Sequence, residues 1–203
     1  MARMMRPNTA TRTLVCLCAL IYLCGVFTGH SYDLLRLGAY APAEIAGGRG
    51  LWQMPVSLFL HVSAWHVAAN CVSVWFLGGM VERRIGSWRM LMLYLLGGLA
   101  GCLAQVAYAV AMCDAPTRPV CGASGAALAL AGALVALKPY RRFRAFGLRL
   151  DTRAAVAAYV AAQGLYLFLR PPDALPVAYA THAGGGIAGF ALALLLSFVS
   201  SRS

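Results

Sequence analysis

Serine, histidine and asparagine side chains can pass a proton or steady a developing charge, and this chain sets several of them inside long apolar runs. His61, His66, Asn70, Gln105, Ser124, Gln163 and His182 all interrupt stretches of Leu, Val, Ala and Gly. Polar groups in such surroundings are costly to bury, so each needs either a partner or a function. A serine hydroxyl becomes a useful nucleophile when a base removes its proton, and histidine suits that role because its unperturbed pKa lies near neutrality. Ser124 and His182 are therefore the candidate nucleophile and base. No carboxylate falls within the apolar runs to orient the imidazole, so the expected chemistry is that of a dyad. His66 and Asn70 are four positions apart, on one face of a helix, and are suited to bind an oxyanion. Ser124 is expected near a helix N-terminus, where backbone N–H groups and the helix dipole favour negative charge. His61, Gln105 and Gln163 are read as structural, the two glutamines as interhelical hydrogen bonders.

The elements that must carry these groups follow from composition. With 61% hydrophobic and 11% charged residues over 203 positions, the chain has more apolar surface than one soluble core of this size encloses. Apolar runs bounded by charge, Gly and Pro predict six membrane-spanning helices near 13–29, 55–79, 89–112, 121–137, 154–170 and 177–199. No A-x-A-like cleavage site follows the first run, which is read as helix one rather than a signal peptide. The expected fold is an all-α membrane protein, a single domain over 1–203. The net charge of +11 does not form a stripe or face, which argues against nucleic acid as a partner. Arg and Lys collect in the N-terminal tail, the 80–89 and 138–153 loops and the C-terminus, so both termini are expected on the cytoplasmic side. A multi-pass protein of the bacterial cytoplasmic membrane is the expected setting.

Helical rise converts these positions into depth. Ser124 precedes Lys138 by fourteen positions, roughly 21 Å in a core of about 30 Å, so it falls about 9 Å beneath the outer face. The same count puts His66 and Asn70 at roughly 5 and 10 Å, and His182 at roughly 8 to 9 Å, on the same side. Gly125, Ala129 and Gly132 on the fourth span and Gly185 and Gly189 on the sixth would let the helices bearing the dyad approach closely. The absence of H-E-x-x-H and of acidic ligands near the histidines argues against a metal site, and no cofactor is expected. An empty inventory of intramembrane carboxylates weighs against a coupled transporter. Five of the seven cysteines sit in apolar runs as small core residues; Cys113 and Cys121 flank a loop and could pair.

The motifs themselves resemble the rhomboid family of intramembrane serine proteases. They are His61-Val-Ser-Ala-Trp-His66-Val-Ala-Ala-Asn70, then Leu77-Gly-Gly-Met-Val-Glu82-Arg-Arg-Ile-Gly86, Gly122-Ala-Ser124-Gly125 and His182-Ala-Gly-Gly185-Gly-Ile-Ala-Gly189. The resemblance implies a six-helix core that cleaves transmembrane segments of other proteins without a cofactor, with the lipid bilayer as its solvent. It assigns Ser124 as nucleophile, His182 as base, His66, Asn70 and the Ser124 N–H as the oxyanion hole, and Glu82 to a cytoplasmic-side hydrogen-bond cluster. Two positions depart from the family pattern. Leu128 stands where many members have a Tyr stacked on the histidine, and Trp52-Gln53 where many have Trp-Arg. A rhombosortase-like branch that processes C-terminally anchored proteins fits within this reading. A catalytically silent relative that binds or escorts membrane clients is the alternative.

Overall fold

The computed structural model describes residues 9–113, 116–137, 142–145, 148–169 and 178–200, with the backbone alone at 142–145, 148–150, 163–169 and 199–200. Each of the six expected spans contains one helix: α1 (Thr9–Thr28), α5 (Ala64–Ile85), α6 (Ser87–Ala111), α7 (Ser124–Leu137), α8 (Thr152–Leu169) and α9 (Tyr179–Ser200). Short helices α2 (Ser31–Gly38), α3 (Pro42–Ala46) and α4 (Gln53–Ser57) fold the loop between α1 and α5. Among the described residues, four helices are long and apolar enough to cross a membrane, namely α1, α5, α6 and most of α9; α7 is shorter. Outside the bundle, β1 (Arg142–Ala145) and β2 (Leu148–Asp151) form an antiparallel hairpin that pairs Arg142 with Asp151 and Arg144 with Arg149. Asp151 then accepts hydrogen bonds from the Arg153 and Ala154 N–H groups, capping α8.

The second span departs from the sequence expectation. Its helix begins at Ala64 rather than near 55, because Ser63 takes an extended conformation and its side chain accepts the His66 N–H at 3.2 Å. Such a cap contributes about 1 kcal/mol and defines the first turn. At the other end α5 runs past residue 79 to Ile85 and stops at Gly86, whose φ of 84° only glycine adopts freely. This extension takes in Glu82, which the expected boundary had left outside. Residues 58–63 form a turn, with Leu58 and Leu60 buried.

Glu82 is a structural anchor at 1% exposure. Its carboxylate accepts the Ala10 and Thr11 N–H groups at 2.9 Å each, the Thr11 hydroxyl at 2.6 Å and the Ser87 hydroxyl at 2.7 Å. An anion on the free N–H groups of α1 completes that helix terminus and is favoured by its dipole. One side chain thus ties α1 and α6 to α5.

The bundle centre is made of backbone meeting backbone. A Cβ added at Gly185 would run into the Gly125 carbonyl oxygen, one at Gly132 into that of Gly186, and one at Gly189 into that of Ala129. α6 joins them through Gly97, where a Cβ would overlap that of Ala129, and Gly101, where it would lie 2.6 Å from the Thr181 carbonyl oxygen. Side chains of any size on these faces would separate α7 from α9.

Candidate active site

Ser124 is the first residue of α7, and His182 lies in the first turn of α9. The close glycine contacts bring the two together across 58 residues of sequence, with His182 Nε2 2.8 Å from Ser124 Oγ. That is a hydrogen-bonded distance suited to proton transfer. The first intrahelical bond beyond Ser124 runs from the Ala127 N–H to the Ala123 carbonyl, which leaves the Ser124 N–H in the first turn, with the favourable end of the helix dipole.

The segment entering α7 is held on two sides. Tyr40 and Val120 exchange both backbone hydrogen bonds, at 3.1 and 2.8 Å, and the Gly122 N–H donates to the Ser57 carbonyl at 2.9 Å. Gly122 has φ +128°, and a Cβ there would sit 2.7 Å from His66 Cε1 and Nε2 and 3.6 Å from Asn70 Nδ2. Glycine at this position thus keeps a small pocket open between Ser124, His66 and Asn70. Asn70 is buried, and neither its Nδ2 nor His66 Nδ1 meets a hydrogen-bond partner among the described residues. Asn70 Nδ2 is a donor, and His66 donates from whichever ring nitrogen carries the proton; buried groups of this kind in the same cavity as the Ser124 hydroxyl are suited to receive an oxyanion. His61 is buried next to them, its ring edge-to-face with that of His66 at a centroid separation of 5.0 Å.

A cavity of about 870 Å³ opens over the dyad. Ser124, His182, His66 and Asn70 line it, with Trp65 from the start of α5 and Tyr159 from α8 at its sides. Gln105 also lines it, and its Oε1 bonds to no described residue, so the interhelical bond expected of this side chain is not formed by that atom. The side chain of Gln163 lies outside the described residues. Cys113 and Cys121 are both free thiols. Leu128 is buried, and Gln53 donates from Nε2 to the Leu37 carbonyl at 2.8 Å, which holds the outer loop without the arginine common at that position. All four tryptophans are exposed. Among the described residues no group of His, Cys, Asp and Glu is arranged to hold a metal ion.

The rhomboid domain family model matches residues 48–198, about three-quarters of the chain, including Ser124, His182, His66 and Asn70. The chain belongs to the rhomboid family. The resemblance read from the motifs is thereby borne out. Among curated rhomboids, the chain is similar to rhomboid protease GluP of Bacillus subtilis (strain 168), 33% identical over 106 residues, covering 52% of this chain and 19% of that protein. It is also similar to RHOMBOID-like protein 1 of Arabidopsis thaliana, 30% identical over 105 residues, with 52% and 25% covered. Rhomboid protease GlpG of Haemophilus influenzae is 35% identical over 86 residues, with 42% and 44% covered. The matches thus span less than half the length of each of these relatives.

Sequence reasoning assigned no role to Tyr40, Ser57 or Tyr94. Tyr40 and Ser57 act through backbone groups, which residue type does not signal. A tyrosine hydroxyl within the third apolar run was the available clue to Tyr94.

Proposed function

We propose that this rhomboid is an intramembrane serine endopeptidase that cleaves transmembrane segments of other membrane proteins near the non-cytoplasmic face. The 2.8 Å contact between Ser124 Oγ and His182 Nε2 carries the reading. The substrate helix enters from the bilayer and unwinds locally, since a helical backbone hides the carbonyl to be attacked. Ser124 Oγ adds to that carbonyl carbon as its proton passes to His182 Nε2. The carbonyl oxygen becomes the oxyanion and takes hydrogen bonds from His66, Asn70 and the Ser124 N–H. Collapse of the tetrahedral intermediate breaks the C–N bond, and imidazolium His182 returns the proton to the leaving amine. Water, deprotonated by His182, then releases the acyl group from Ser124 by the same steps in reverse order.

In this reading α1, α5, α6, α7, α8 and α9 lie across the bilayer, both termini are cytoplasmic, and the membrane is the bacterial cytoplasmic one. Arg and Lys asymmetry supports that orientation. Glu82 then lies toward the cytoplasmic side, and the dyad toward the other. Restriction to C-terminally anchored substrates, as in a rhombosortase-like branch, is a narrower form of the same proposal.

Reconstituted protein with a single-span reporter substrate tests the reading. Wild type is expected to cleave, and Ser124→Ala and His182→Ala to lose turnover by about 10⁴-fold or more, the scale of removing a nucleophile or base. Equal cleavage by all three proteins sinks the dyad. A folded wild type that retains clients but is never labelled at Ser124 by a fluorophosphonate favours the silent escort.

A further inference from the structure

The geometry points to Tyr94 as a positioning residue for the oxyanion pocket, acting from α6 through the turn at Ser57 and Leu58. This inference rests on the peptidase reading for its kinetic consequence and on the fold alone for its structural one. The Tyr94 hydroxyl donates to the Leu58 carbonyl at 3.2 Å, and both residues are fully buried. One helical turn further along α6, Gly98 receives the Leu58 side chain, so closely that a Cβ at Gly98 would lie 2.9 Å from Leu58 Cδ1. Positions 94 and 98 share a helix face, and together they hold Leu58 by its backbone and its side chain.

The adjacent carbonyl, that of Ser57, accepts the Gly122 N–H at 2.9 Å. Gly122 is the residue whose lack of a Cβ leaves room beside His66 and Asn70, two positions before Ser124. The connection therefore runs from the α6 hydroxyl to the 57–58 turn and from that turn to the wall of the pocket. Ser57 adds rigidity by donating its own hydroxyl to the Met54 carbonyl at 2.7 Å. Every link is a hydrogen bond or a packed side chain among buried groups. Releasing the Leu58 carbonyl leaves a buried acceptor without a partner, and the turn must shift to seek another. Misplacement of an oxyanion donor by a fraction of an ångström weakens the transition state more than the bound ground state.

Tyr94→Phe removes the hydroxyl and keeps the ring, whose centroid lies 6.0 Å from that of Phe59. The full chain in lipid nanodiscs would be compared with wild type by amide hydrogen exchange and by reporter cleavage. Exchange in the 119–124 segment is expected to quicken about fivefold, the equivalent of one buried hydrogen bond, with the middle of α7 unchanged. Turnover is expected to fall about tenfold with KM within a factor of about two, which a general loss of structure would not produce. A second variant, Leu58→Val, weakens the contact at Gly98 without touching the hydroxyl and is expected to move both readouts the same way. Folded Tyr94→Phe protein with wild-type exchange at 119–124 and wild-type turnover overturns the inference. If Tyr94→Phe does not fold, unchanged exchange in Leu58→Val does so. A wild type that cleaves nothing overturns the peptidase reading instead, and the exchange measurement alone then decides the role of Tyr94.

Discussion

Glu82→Gln changes one atom type in a cluster where all four neighbouring groups are able to donate to a carboxylate. If the amide oxygen stays with the Thr11 N–H and hydroxyl, the new NH2 group faces the Ala10 N–H, and two donors oppose each other in a buried site. The Ser87 hydroxyl can rotate to accept, but a backbone N–H cannot. Leaving that donor unpaired costs about 1–3 kcal/mol, and losing the negative charge at the α1 N-terminus costs a further ~0.3–2 kcal/mol, so about 2–4 kcal/mol of stability should go. For a domain of this size the midpoint of thermal unfolding should fall by roughly 5–10 °C. Glu82 lies twelve residues beyond Asn70 on α5, about 18 Å along the axis, so the dyad is not disturbed directly. Turnover per folded molecule at a permissive temperature should therefore match wild type. Thermal unfolding followed by tryptophan fluorescence, paired with cleavage at low temperature, reads both quantities. A midpoint shift under about 2 °C would refute the capping argument, and abolished turnover in a protein of wild-type stability would refute the separation of cap from site.

Gly122→Ala places a methyl group against the His66 ring at a backbone angle that disfavours side chains; turnover should fall at least about 100-fold, as for loss of an oxyanion donor, with folding retained. Wild-type cleavage by that variant would show the pocket lies elsewhere. Gly185→Ala drives a methyl group into the Gly125 carbonyl, so α9 must move off α7 at a cost of about 1–3 kcal/mol, drawing His182 out of hydrogen-bond reach of Ser124. Fluorophosphonate labelling of Ser124 at a wild-type rate in Gly185→Ala would contradict it.

The catalytic candidates were legible because each signal is local. A polar residue in an apolar run is conspicuous by type, its depth follows from counting helical rise, and the i, i+4 spacing of His66 and Asn70 gives their common face. The boundary of the second span was not legible, because residues 55–63 are as apolar as a helix would be. What starts the helix at Ala64 is the bond from the His66 N–H to Ser63, a matter of backbone angle. Glu82 was expected in a cluster by resemblance alone; besides Ser87, its partners come from α1, more than seventy residues earlier. The place of Gln105 on the cavity wall was not legible from its type, because it depends on which way α6 is turned.

The amino-acid sequence by itself determined a helical membrane protein and a shortlist of polar residues from which Ser124 and His182 stood out. Hydropathy, charge asymmetry and helical period are properties along the chain, so they need no knowledge of neighbours. Tertiary structure alone decided that the serine and histidine lie 2.8 Å apart, that Gly122 leaves space beside His66 and Asn70, and that Tyr94 reaches Leu58. Those are contacts between segments far apart in sequence. They exist because glycine backbones on α6, α7 and α9 pack with at most an alanine methyl group between them at these contacts, and the fit of three helices cannot be counted along one.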